Sequence, residues 1–168
     1  SLNMAGGGKT ARYYVGGSYY DQQGMYKTDK SLKEYNTNAN FRKYTYRMNV
    51  DIDITKSTLL KVGISGSLRK QNDPGVGTDA IWTIMMPIVS SNGYVSSWSG
   101  KEDNLNPWVQ ATMTGYRESW KNNIQTNVTL EQKLDFITKG LKFIGRFGYD
   151  TDNSNWINRV KWPAVYKA

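Results

Sequence analysis

Residues 43–54 read KYTYRMNVDIDI, and apolar side chains alternate strictly with polar ones along this stretch. The even positions, from Tyr44 to Ile54, are aromatic or aliphatic, whereas the odd positions, from Lys43 to Asp53, are polar or charged. Successive side chains of a β-strand point to opposite faces, so the stretch predicts a strand with one apolar and one polar face. At about 12 residues it is longer than the roughly 5–6 of a typical soluble strand.

The same alternation continues on both sides and predicts two hairpins. Residues 60–68 repeat it after a turn at 55–58, and residues 120–136 and 141–149 repeat it around a turn at Thr138-Lys139-Gly140. An earlier strand is expected at about residues 10–20, and a further one near Trp156. The predicted fold class is therefore all-β, an antiparallel meander of about five long strands.

Long and short connections alternate between these strands. Residues 21–42 and 70–118 are long polar links, the turns near Thr55 and Thr138 are short, and residues 151–155 are expected to open another long link. Outer-membrane barrels have long loops at the outer end and short turns at the periplasmic end. With strands longer than the roughly 9–11 residues that a crossing needs, this favours part of a large transmembrane β-barrel.

The Lys70–Glu118 link is expected to contain one or two short helices. Thr78 can cap a helix over residues 79–86 that ends before Pro87, and Asn106 can cap another that starts at Pro107. Gly115 is a plausible end for the second helix. A folded loop of this kind is expected to pack against a partner surface.

The apolar face of the strands is predicted to contact lipid. The residues assigned to this face are Tyr44, Tyr46, Met48, Val50, Ile52, Ile54, Leu60, Val62, Ile64, Leu130, Leu134, Phe136, Phe143 and Phe147. A half-buried sheet of a soluble protein shows the same alternation. A soluble all-β module that binds carbohydrate or another ligand is therefore the alternative, although strand length and the aromatic residues at strand ends favour a membrane.

The composition argues against catalysis. The chain has neither Cys nor His, which excludes thiolate and histidine-based mechanisms and removes the commonest metal ligands. The carboxylates of the strands, such as Asp51 and Glu131, alternate with Lys and Arg, which is typical of a solvated face. No enzymatic activity, cofactor or metal site is therefore expected. The net charge of +8 is scattered along the chain, so no nucleic-acid partner is expected.

Four aromatic residues of the long link are candidate ligand-binding residues. Rings with a polar tip can stack on sugars or peptides, and packing beneath the loop accounts for them equally well. The four residues are Trp82, Tyr94, Trp98 and Trp108.

Several segments resemble the SusC/RagA family of TonB-linked outer-membrane proteins. The segment TARYYVGGSYYDQQG is similar to a strand of that family in which Ser is frequent where Gly16 stands here. The segments that carry the resemblance are Thr10–Gly24, Asn38–Asp51, Asn106-Pro107, Leu130–Leu134 and Gly140–Lys142. Together they cover almost the whole chain.

The resemblance implies an importer of the Gram-negative outer membrane. Members of the family are barrels of about 22 strands with an N-terminal plug that contacts the TonB complex. They carry a SusD-like surface lipoprotein as a lid and import glycans or peptides. Residues 1–168 match no plug, TonB box or signal peptide, and are expected to be a single segment of the barrel. Because the smallest barrels have about eight strands, the isolated segment is expected to self-associate.

Overall fold

The computed structural model describes residues 1–25, 36–76, 96–97, 106–164 and 166–167, and these residues form an almost entirely β structure. Six strands make one antiparallel meander in the order β1-β2-β3-β4-β6-β7, which confirms the predicted fold class. Their bounds are β1 Leu2–Gly7, β2 Ala11–Gln23, β3 Asn40–Asp53, β4 Thr58–Pro74, β6 Gly115–Lys133 and β7 Lys142–Val160. Two short strands of two residues each, β5 (Ser96–Ser97) and β8 (Tyr166–Lys167), pair in parallel as a separate sheet.

The short turns have the hydrogen bonds of tight hairpins. The amide of Ile54 donates to the carbonyl of Thr58 at 2.9 Å between β3 and β4. Between β6 and β7, Gly140 has a φ of +85°, a conformation that favours glycine, and its amide donates to Asp135 Oδ1 at 2.8 Å. The long connections fall between β2 and β3 and between β4 and β6, so two of the three predicted long links are found, and short turns separate them as predicted.

Strand β1 was not predicted from the sequence. It pairs with β2 in the register Leu2↔Gly17 to Gly7↔Arg12, although only Leu2 and Met4 supply large apolar side chains. Backbone groups form this ladder, and they carry little signal in the side-chain pattern.

Several predicted boundaries are wrong. The long link is shorter than the predicted Lys70–Glu118, because β4 continues to Pro74 and β6 begins at Gly115. Residues 151–155 do not open a long link, because β7 continues through them and through Trp156 to Val160. The polar composition of 151–155 reflects solvent exposure, while the backbone stays paired. At the hairpin between β6 and β7, β6 ends at Lys133. Leu134 and Phe136, which were predicted to lie in the strand, therefore lie in the turn.

The helix predicted after Asn106 is present as α1, Pro107–Thr112. Asn106 Oδ1 accepts a hydrogen bond from the amide of Val109 at 2.8 Å, as the capping prediction requires. The helix ends at Thr112 with Met113 as its C-cap, before Gly115, which has a φ of +91° and starts β6. The helix predicted at 79–86 lies outside the described residues. Among those that are described, no helix is long and apolar enough to cross a membrane.

The chain divides into two compact units. The first comprises residues 1–20, 43–69 and 121–154, and contains the short turns and most of the alternating strand segments. The second comprises residues 21–42, 70–120 and 155–168, and contains α1 and the strand ends next to the long connections.

Candidate functional site

Contacts across the strands of the first unit separate two faces. Glu131 binds both Lys61 and Lys142, so these three side chains lie on one face, which we call the polar face. Alternation then puts Leu130 and Phe143 on the opposite, apolar face. On that face the rings of Tyr19 and Tyr44 lie 5.0 Å apart.

The apolar face is largely exposed. Among the described residues, Val109 and Ala111 of the second unit are the buried hydrophobic residues, whereas 25 of the described large hydrophobic residues, from both faces and the turns, are exposed. Of the fourteen residues assigned to lipid, Tyr44, Tyr46, Ile54, Leu130, Phe136, Phe143 and Phe147 are exposed. The other seven are partly buried: Met48, Val50, Ile52, Leu60, Val62, Ile64 and Leu134. The burial expected of a soluble core is therefore not found for any of them.

The polar face is covered by ion pairs that connect neighbouring strands. Lys61 Nζ lies 2.7 Å from Glu131 Oε1, and Lys142 contacts the other carboxylate oxygen, so one carboxylate joins β4, β6 and β7. Arg12 and Asp53 approach to 3.3 Å, and Lys121 and Asp152 approach to 3.5 Å. The strand carboxylates thus serve as ion-pair partners, in agreement with a solvated face.

One of the four candidate aromatic residues can be located. Trp108 lies in the first turn of α1, partly buried, and its carbonyl accepts a hydrogen bond from Thr112 Oγ1 at 2.7 Å. Trp82, Tyr94 and Trp98 lie outside the described residues.

A cavity of about 280 Å³ lies in the second unit where β2 ends and β3 begins. The residues that line it are Gln22, Gln23, Gly24, Ala39, Asn40, Phe41, Gln71 and Asp73. Gln71 Nε2 donates to Asp73 Oδ2 at 2.8 Å, which holds the amide and the carboxylate together. Sequence reasoning missed this cavity because its residues come from three strands. The sequence did contain one signal within a single strand: Gln71 and Asp73 are two residues apart, so they lie on the same strand face.

A second cavity of about 300 Å³ in the same unit is lined by charged groups that are already paired. Arg42 lies 3.5 Å from Asp21, and Lys70 Nζ lies 2.8 Å from Glu118. The Lys70 ammonium also lies 5.4 Å from the centroid of the Trp120 ring. These pairs neutralise the cations, so the cavity has no clear preference for an anion.

The described residues contain no group of three or more His, Cys, Asp or Glu side chains that could hold a metal ion.

Comparison with known proteins gives one informative similarity. The chain is 33% identical to TonB-dependent receptor P3 of Formosa agariphila over an alignment of 168 residues, which covers 91% of this chain. The chain spans only 15% of the length of that receptor. No protein-family model matches the chain. The similarity supports a segment of a TonB-dependent receptor, and it confirms the prediction that the chain is not an enzyme.

Proposed function

We propose that this chain is part of the barrel wall of a TonB-dependent nutrient importer of the SusC/RagA type in the Gram-negative outer membrane. Its strands form the wall, and the connections after β2 and β4 form loops on the outer side. The observation that carries the proposal is the exposed apolar face, opposite a polar face that is linked by ion pairs. In a barrel wall the first face meets lipid and the second lines the interior.

In this proposal, other parts of the importer provide the lid and the plug. The resemblance to the SusC/RagA family supports a SusD-like surface lipoprotein as a lid over the outer loops. It also supports a TonB complex that acts through a plug encoded elsewhere in the full-length protein. The transported molecules are then oligosaccharides or peptides that are too large for passive pores.

The alternative of a soluble carbohydrate-binding module receives less support. Such a module must bury one sheet face against a second layer, whereas Tyr44, Phe143 and Phe147 remain exposed. A soluble monomer rarely leaves so large an apolar patch open. Lipid stabilises such a face without a second protein layer.

Two arginine substitutions at adjacent positions of β3 test the proposal in the full-length receptor. Val50→Arg puts a charge on the apolar face and is expected to cost roughly 2–4 kcal/mol near the bilayer midplane, so assembly fails. Asn49→Arg puts the same charge on the polar face and is expected to be tolerated. The amount of folded receptor in isolated outer membranes measures both. Equal levels of the two variants would contradict a lipid-facing assignment.

A further inference from the structure

The three short turns of the first unit each carry one lysine. They are Lys9 between β1 and β2, Lys56 between β3 and β4, and Lys139 between β6 and β7. All three are exposed, and none forms an ion pair with another of the residues that the structure describes. Each turn therefore presents a positive charge that no described carboxylate neutralises.

Backbone hydrogen bonds join these turns into one rim, residues 8–12, 53–61 and 131–142, which we call the short-turn rim. The amide of Asp53 donates to the carbonyl of Thr10 at 2.8 Å, and the amide of Lys133 donates to the carbonyl of Ser57 at 2.8 Å. Neighbouring turns are two strand spacings, about 10 Å, apart. This is close to the Debye length of about 8 Å at physiological salt, so the fields of neighbouring turn lysines overlap.

The acidic residues of the short-turn rim are already engaged. The rim contains seven basic and three acidic residues. Asp53 pairs with Arg12, and Glu131 pairs with two lysines of the adjacent strands. Asp135 accepts a hydrogen bond from the amide of Gly140. The excess of positive charge on the rim thus requires an anionic partner from outside the described residues.

Exposed apolar side chains lie in the same turns as two of these lysines. Ile54, two residues before Lys56, is 55% exposed, and Phe136 and Ile137 beside Lys139 are 79% and 64% exposed. Water alone suits the lysines but not these neighbours. A lysine next to exposed apolar groups is the arrangement found at a bilayer surface, where the apolar groups enter the hydrocarbon and the ammonium stays among the headgroups.

An acidic protein segment inside the barrel is the other candidate partner. Lys56 also borders a cavity of about 110 Å³ together with Lys133 and Lys142. The carboxylates of Asp53 and Glu131 line the same cavity, and Lys142 already contacts Glu131. An acidic segment in this cavity would meet like charges, which oppose its binding. The lining therefore favours a lipid partner at the rim.

We infer that the short-turn rim binds anionic phospholipid headgroups, with Lys9, Lys56 and Lys139 contacting their phosphates. The inference rests on the proposed importer function, which puts the short turns at the periplasmic end of the barrel, and it adds a lipid partner there. An anionic membrane surface attracts each nearby lysine, and phosphate oxygens accept hydrogen bonds from its ammonium group.

Lipid titrations of the full-length receptor test this contact. Receptor purified in a nonionic detergent is titrated at constant ionic strength with fluorescently labelled phosphatidylglycerol, and with labelled phosphatidylcholine of the same acyl chains. The turn variant combines Lys9→Gln, Lys56→Gln and Lys139→Gln. The matched variant removes the same amount of charge from exposed side chains that alternation assigns to the polar face, by combining Arg47→Gln, Lys121→Gln and Lys133→Gln.

The wild type is expected to bind phosphatidylglycerol more tightly than phosphatidylcholine. The turn variant is expected to bind phosphatidylglycerol roughly 10- to 100-fold more weakly, because each lysine near an anionic surface contributes about fivefold. The matched variant is expected to bind as the wild type does. Equal losses in the two variants would overturn the inference, since net charge alone would then govern binding.

Two further outcomes would also overturn it. Displacement of the lipid by an equal concentration of glycerol phosphate would reassign the rim to a small free anion. Unchanged affinity of the turn variant, with lower stability in lipid-free detergent, would identify the acidic protein segment as the partner. Failure of the proposed function is distinguishable, because a full-length protein absent from isolated outer membranes would contradict it before any lipid is added.

Discussion

Tyr46 of β3 covers Gly66 of β4 on the apolar face, with its hydroxyl 2.5 Å from the position that a Cβ of residue 66 would occupy. The carbonyl oxygen of Asn123 in β6 lies equally close to that position. A glycine is therefore required by two different neighbours, one a side chain that can move and the other a backbone that is fixed by the sheet.

The first prediction follows from this contact. Gly66→Ala is expected to destabilise the folded receptor by about 1–3 kcal/mol, the usual cost of overpacking, because the Asn123 carbonyl cannot move without disturbing its strand. Gly8→Ala is the matched control, since nothing lies within 4 Å of its added Cβ. Denaturant unfolding of receptor refolded in detergent measures both variants. Equal stability of the two would mean that β4 and β6 separate easily at this point.

The second prediction concerns Glu131, which joins Lys61 and Lys142 and whose side chain is only 16% exposed. Glu131→Gln leaves two lysines close together without their shared partner, so the unfolding midpoint is expected to fall, more strongly at low salt. Asp152→Asn breaks the exposed pair with Lys121, and almost no change is expected. A shift of the same size for the two variants would show that bridging three strands adds nothing beyond an ordinary surface pair.

The strands could be predicted from the sequence because apolar and polar residues alternate along each strand according to the two environments that its faces meet. Residues 43–54 show both faces directly, Gly140 marks a turn that needs positive φ, and Asn106-Pro107 marks the start of α1. Each of these features depends on neighbours in the chain. Strand β1 and the continuation of β7 through 151–155 depend on backbone pairing with another strand, which leaves little trace in side-chain type.

The candidate site was less predictable for a related reason. The bridge at Glu131 and the cavity around Phe41 depend on cross-strand register, which brings together residues that are distant in sequence. Alternation assigns a side chain to a face but does not say which residue lies opposite it. Only Gln71 and Asp73, two apart in one strand, could have been grouped in advance.

The third prediction concerns the chain in isolation. Strands β1 and β7 stand at the two ends of the sheet order, and the apolar face includes Phe143 and Phe147 at 54% and 64% exposure. Free edges and an open apolar face favour pairing between copies, so dimers or larger species are expected without detergent.

Light scattering with and without detergent measures this association. Replacing both Phe143 and Phe147 by lysine is expected to shift the population toward smaller species, because charges on the face oppose its burial. Replacing Lys121 by alanine on the polar face is the control and should leave the distribution unchanged. A monomer at all concentrations without detergent would favour the soluble module over a barrel segment.

The fourth prediction concerns the loop between β4 and β6, which carries the four candidate aromatic residues. The strand ends that flank it are paired, since the amide of Gly75 donates to the carbonyl of Gly115 at 3.1 Å. Asn106 caps α1 and is itself almost completely buried, so a deletion that includes it would damage the helix. Replacing residues 79–105 by a Gly-Ser linker in the full-length receptor removes Trp82, Tyr94 and Trp98 and keeps both features.

This variant loses the two-residue strand β5 but keeps the six strands of the large sheet and their short turns. It is therefore expected to reach the outer membrane at the normal level but to lose nutrient uptake or association with the lid lipoprotein. Aromatic residues contribute a large share of binding energy at such contacts. Trp108→Ala in the otherwise intact loop measures the contribution of the Trp108 ring apart from that of the other three aromatic residues. Transport of a labelled oligosaccharide and co-purification of the lipoprotein measure the two effects. Normal values for both would exclude the loop from recognition, whereas increased leakage of small solutes would show that it closes the mouth of the barrel.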